Sequence, residues 1–158
     1  MVKFYTGIGS RETPEEMQAP MFNIARRLSE KGYTLRSGGA DGADSFFEMG
    51  AKKKEIYLPW KNFNNNPSPL FELSDEAFEI AEQFHPAWEK LSKGARNLHA
   101  RNTYQVLGKD LHTPSDFIIC WSKGTGGTEQ SLRIARHYNI PIYNLYEMSL
   151  EEVIKKIG

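Results

Sequence analysis

Apolar positions along this chain change period repeatedly, and each change marks an element. "VKFYTGI" is a β-rich run that ends in Gly7 and Gly9. "TPEE" then reads as a helix start, with Thr13 as N-cap, Pro14 at the first helical position and Glu16 closing a capping box. Met17, Met21, Ile24, Ala25 and Leu28 follow at helical spacing, with a kink or break expected at Pro20 and an end at Gly32. "YTLRS" predicts a second strand, Asp41 to Lys53 a second helix and "EIYLP" a short third strand.

Beyond Trp60 the pattern lapses. "KNFNNNPSPLFE", rich in Asn and Pro, predicts a surface loop, an insertion at about 59–72 within one domain spanning 1–158. Leu73, Ala77, Ile80, Ala81 and Phe84 mark an amphipathic helix with its acidic residues in the first turns, where the helix dipole favours them. "HPAWEKLSKGARNLHARNTYQVLG" is helical with a break near Gly94; "DFIICW" is a buried strand; "GTGGTEQSLRIARHY" is a glycine turn opening a helix; "IPIYNLY" is the last strand and "SLEEVIKKI" a closing helix. Strands alternating with helices predict an α/β fold: a single Rossmann-like domain, its mostly parallel sheet covered by helices on both faces.

Charge modifies this picture only locally. Lys plus Arg and Asp plus Glu number 20 each, so no bulk field draws the protein to nucleic acid or membrane. From His85 to Ile140, however, basic residues outnumber acidic ones, and all four histidines fall there. The one cysteine, Cys120, sits in an apolar run, reads as a buried structural thiol and excludes an intrachain disulfide. With no apolar run of membrane length and no signal-peptide pattern, the sequence reads as a cytoplasmic protein.

The chemistry gathers at strand ends. "TGIGSR" (Gly7, Gly9, Ser10, Arg11), "SGGADGAD" (Ser37, Gly38, Gly39, Ala40, Asp41, Asp44) and "GTGGTE" (Gly124, Thr125, Gly126, Gly127, Thr128, Glu129) each carry a strand into a glycine turn. In open α/β sheets ligands bind beyond the carboxyl ends of the strands, and helix starts there offer free N–H groups to anions. None of the turns is a P-loop or a full G-x-G-x-x-G. "ARNLHARN" adds Arg96, His99, Arg101 and Asn102, a basic and polar cluster just ahead of "DFIICW". The histidines lack the spacing of a metal site, and no metal or cofactor is expected. Trp60, Phe63 and Trp121 are aromatic candidates for stacking a base.

The set "YTGIGSRETP", "LRSGGADGAD", "ARNLHARNTYQVL", "SDFIICW" and "GTGGTEQSLRIA" resembles the SLOG superfamily, which joins the Lonely Guy nucleotide phosphoribohydrolases to the Rossmann-like domain of DNA-processing protein A. The resemblance runs from about Lys3 to Leu145, and compact stand-alone copies of this kind resemble those carried by bacteriophages. It implies a nucleotide-type ligand, with Arg101 at the family arginine. The family glutamate, three residues after the Thr of the glycine turn, is replaced by Ser131; Glu129 lies about 200° away around the helix. "ARN" resembles part of the segment that meets single-stranded DNA in DNA-processing proteins.

Two function classes stay open. One is a binding module for a nucleotide or nucleotide-derived small molecule, such as a phage sponge that sequesters a cyclic oligonucleotide or ADP-ribose immune signal in the host cytoplasm. The other is a nucleotide N-glycosidase, with Arg101 and Glu129 catalytic. The missing glutamate favours binding. A single-stranded DNA partner in recombination is the weaker alternative, and the resemblance implies self-association as a homodimer or larger. "GTGGT" and the arginines are expected to take phosphate. Of the two turn carboxylates, Asp41 is the better candidate for accepting hydrogen bonds from a sugar.

Overall fold

The computed structural model describes residues 2–158. Five strands form one sheet: β1 (Lys3–Gly9), β2 (Tyr33–Ser37), β3 (Lys54–Ile56), β4 (Ile118–Trp121) and β5 (Ile142–Asn144). Their order is β3-β2-β1-β4-β5 and every pairing is parallel. The chain thus builds outward from β1 to one edge, then returns to the other side of β1 with β4. Among the described residues six α-helices connect and close the strands: α1 (Gln18–Glu30), α2 (Ala43–Gly50), α3 (Asp75–Phe84), α4 (Lys93–Leu107), α5 (Gly127–His137) and α6 (Leu150–Ile157).

Alternation along the central strands supplies two cores. Tyr5 of β1 and Ile119 and Trp121 of β4 join Met21, Ile24 and Leu28 of α1, Phe47 of α2 and Val153 of α6. Ile8, Ile118 and Cys120 face the opposite way, onto Ala77 of α3, Ala100, Tyr104 and Leu107 of α4, and Leu132 and Ile134 of α5. This is the Rossmann-like arrangement, with helices on both faces of a parallel sheet. Cys120 is fully buried, and burial pushes its thiol up to about 12.

Several local expectations are corrected. The Thr13 hydroxyl donates to the Ser10 carbonyl at 2.5 Å, and no capping box forms. The chain makes a 3-10 turn over Glu15–Met17 and becomes α-helical only at Gln18. Pro20 therefore falls in the first turn of α1, where its missing N–H costs nothing, and the helix runs on without a break. The second helix spans Ala43–Gly50 rather than Asp41 to Lys53: Gly42 at φ +81° holds the turn open until Ala43, and Ala51 is already extended. The break in the fourth helical stretch lies at Leu91 and Ser92, where Ser92 caps α4, and Gly94 is inside the helix.

The 59–72 excursion leaves the sheet edge and returns to it. Leu58 N–H donates to Leu70 O at 2.8 Å, and the Ser68 hydroxyl to Ile56 O at 2.6 Å. Asn62, Asn64 and Asn65 all take positive φ, a conformation asparagine tolerates better than most residues, which is why the asparagine run suits this bend.

Candidate functional site

A cleft of about 690 Å³ opens beyond the carboxyl ends of β1 and β4, the point where the strand order reverses. The turn after β1 contributes Gly9, Ser10, Arg11 and Glu12; the turn after β2 contributes Ala40 and Asp44; α4 contributes Ala95, Leu98, His99, Arg101, Asn102 and Gln105; the α5 end contributes Gly124 through Glu129, Ser131 and Arg133. His85 and Pro86, just past α3, complete the lining.

The loop after β4 stands in the open. Gly124 and Gly126 take φ of +93° and +82°, and a Cβ on Gly127 would meet nothing within 4 Å. The N–H groups of Gly127 and Thr128, in the first turn of α5, have no protein acceptor among the described residues. Such orphan donors, with the helix dipole behind them, favour an anion. Asn102 fixes this helix start by donating to Gly127 O at 3.2 Å.

Arg101 and Asp44 both line the cleft, with no direct ion pair between them. Both are buried, at 5% and 4% exposure. Arg101 Nη1 donates to the Gly38 carbonyl and, at 3.3 Å, to Tyr57 O; its Nε donates to Asn102 Oδ1 at 2.9 Å. Nη2 carries no protein hydrogen bond among the described residues. Asp44 accepts from the Ala40 N–H at 3.3 Å. Burial pushes its carboxyl up to about 6, opposed by the Arg101 guanidinium and by backbone N–H groups. The same burial lowers Arg101 to about 10, against the pull of Asp44. The carboxylate of the second glycine turn thus sits in the field of a buried arginine that hydrogen-bonds the same turn.

Several expected site residues stand apart from the cleft. Asp41 is exposed and accepts from Asn64 at 3.3 Å, pinning the 59–72 excursion; Asp44, not Asp41, is the turn carboxylate that reaches the cleft. A Cβ on Gly7 would strike Leu35 and Phe47 at 2.8 Å, so this glycine lets α2 pack on the sheet. Ser37 donates to Gly7 O at 2.6 Å, tying β2 to β1. Gly38 faces Arg101 and Gln105, and Gly39 O accepts from Asn64. Arg96 lies on another face of α4, donating to Trp88 O and standing over the Trp88 ring. Trp60, Phe63 and Trp121 are absent from the lining. Glu129 does line the cleft, because the cleft wraps around the first turn of α5; its Oε1 accepts from Arg136 at 2.7 Å and its buried Oε2 has no partner.

His85, Gln105 and Arg133 line the cleft without having been singled out in the sequence. Two of them sit one helical turn beyond residues that were: Gln105 after Arg101, and Arg133 after Glu129. That i, i+4 relation was the available signal. His85, beyond the end of α3, offered none. Among the described residues, no group of three or more His, Cys, Asp or Glu side chains is placed to hold a metal ion, and no helix is long and apolar enough to cross a membrane.

No family model matches the chain, and no curated protein does. Among solved structures it is similar to DNA processing protein A from Helicobacter pylori, described as having a unique single-stranded DNA binding mode. The TM-score is 0.61 at 24% identity, over 90% of this chain and 64% of that one. The chain therefore spans about two-thirds of that protein, and what the two are shown to share is the fold.

Proposed function

We propose that the cleft binds a nucleotide or nucleotide-derived small molecule and holds it without cleaving it. The observation that carries this reading is the start of α5: unpaired first-turn N–H groups opening onto a cleft that also receives Arg101. A phosphate fits there by charge and by hydrogen bonding. The volume is in the range of small-molecule sites. Holding rather than cleaving is supported at Ser131. This residue occupies the position of the resembling family's glutamate; it is 1% exposed and its hydroxyl is directed at Gln105, 3.4 Å away. A neutral hydroxyl can neither activate water nor stabilise an oxocarbenium ion well, and loss of one such group typically removes on the order of 10²–10⁴ in rate. A compact binder of this kind suits sequestration of a nucleotide signal, such as a cyclic oligonucleotide or an ADP-ribose derivative.

One observation favours hydrolysis instead: the unpartnered buried oxygen of Glu129 beside the cleft. The experiment is to incubate the protein with nucleoside monophosphates, ADP-ribose and cyclic dinucleotides, denature it, and chromatograph the mixture. The binding reading expects stoichiometric capture and intact return. Free base formed over many turnovers overturns it, and loss of that turnover in Glu129→Gln would make Glu129 the catalytic carboxylate. Single-stranded DNA is the third reading, supported by the description of the Helicobacter pylori protein. Equal numbers of acidic and basic side chains weigh against it, since sequence-independent strand binding needs several phosphate contacts.

A further inference from the structure

At the α3 end of the cleft, two imidazoles face each other. The His85 and His99 rings lie 4.6 Å apart, tilted at 54°. His85 Nδ1 accepts from the Ala87 N–H at 3.0 Å, which leaves Nε2 as its uncommitted nitrogen. The His99 imidazole makes no hydrogen bond among the described residues, and its Nδ1 is buried without a partner. Arg133 lines the same end. Its Nε donates to Phe84 O and its Nη2 to Gln130 Oε1, both at 2.8 Å, leaving Nη1 without a protein acceptor.

An unpaired polar atom buried beside an arginine needs an explanation. The charged groups that bear on His99 are His85, Arg133 and Arg101, all cationic or protonatable; the one that bears on His85 is Arg133. None of the cleft carboxylates bonds His85, His99 or Arg133: Asp44 accepts from the Ala40 N–H, Glu129 pairs with Arg136 through Oε1 and leaves Oε2 unpartnered, and Glu12 is exposed. Arg11 adds positive charge from the exposed turn after β1. With burial first among the causes, His99 is held down to about 4 and His85 is lowered as well. This end of the cleft thus gathers two protonatable rings and the free Nη1 of Arg133, with no carboxylate among the described residues bonded to any of them.

We propose that His85, His99 and Arg133 form a second phosphate subsite, apart from the start of α5, which takes up a proton as the phosphoryl group enters. The proposal rests on the nucleotide reading only for what else the ligand carries: its ligand then presents two phosphoryl groups or a pyrophosphate, rather than a single monophosphate. An anion against the two rings favours their charged forms, so binding here tightens as pH falls.

The test uses inorganic phosphate as the probe. The ring protons of all four histidines are followed by NMR against pH, in chloride and in saturating phosphate. His85 and His99 are expected to titrate higher in phosphate by about one unit or more. His112, which pairs with Glu76 ahead of β4, is expected to stay where it was. Arg133→Leu should abolish the rise. No rise at His99, an equal rise at His112, or an undiminished rise in Arg133→Leu overturns the subsite. If that variant does not fold, the wild-type comparison of His99 with His112 still decides. Failure of adenosine monophosphate, ADP-ribose and a cyclic dinucleotide alike to bind, alongside a phosphate-dependent rise at the pair, would sink the nucleotide reading and leave the subsite standing.

Discussion

Arg101 is committed to the protein before any ligand arrives. Its guanidinium ties α4 to the turn after β2 through Gly38 O, and it is the counter-charge for Asp44. Arg101→Ala should therefore cost stability as well as affinity, about 1–3 kcal/mol, because it leaves the buried carbonyls of Gly38 and Tyr57 without their donor. Urea denaturation checks this; an unchanged midpoint would contradict it. A second prediction concerns acid. His99 is depressed to about 4 in the folded protein, against an ordinary 6.5, so the stability it contributes is present above 6.5 and lost as pH falls toward 4. Asp44 runs the other way: raised to about 6 from 3.8, it favours the fold below 3.8 and loses that contribution as pH rises through 6. His99→Gln should then lose less stability than wild type between pH 7 and pH 4, and identical slopes in denaturation at the two pH values would contradict the assignment. Neither Arg101's inward commitment nor the choice of Asp44 over Asp41 was legible in the sequence. Two carboxylates three residues apart in one turn look alike until Gly42 sets which points in and which meets Asn64.

At the scale of elements, the glycine turns divide into two kinds that share a sequence appearance. Gly9 is a packing glycine: a Cβ there would sit 2.6 Å from Ala43 Cβ and 2.8 Å from Trp121 O. Gly9→Ala should cost about 1–3 kcal/mol through this clash. Gly127 has open space and no positive φ, so Gly127→Val should fold with near wild-type stability in thermal denaturation while crowding the proposed phosphate site. A midpoint unchanged in Gly9→Ala, or one collapsed in Gly127→Val, would contradict this division. The alternation of strands and helices, the buried runs and most helix positions were legible, because periodicity reports which face is buried. Helix starts were less so. Thr13 has the right residue type for a cap, yet its hydroxyl is spent on Ser10 O, a contact set by the β1 turn rather than by local sequence.

For the molecule as a whole, the reversal of strand order between β1 and β4 decides where chemistry can occur. Three turns and the polar face of α4 converge there although they are spread over some 120 residues from Gly9 to Arg133. The strand-end turns were legible as a set, and so was the polar cluster on α4. The far wall of His85 and Arg133 was not, since nothing in the sequence brings the end of α3 against α5. The central claim is that this cleft takes a phosphate-bearing nucleotide at the start of α5. Calorimetric titration of wild type and Gly127→Val with adenosine monophosphate, ADP-ribose and a cyclic dinucleotide tests it most directly. Saturable binding of at least one of them to wild type, weakened more than tenfold in the folded variant, is the expected result. Absence of binding by all three, or equal affinity in the two proteins, would contradict it.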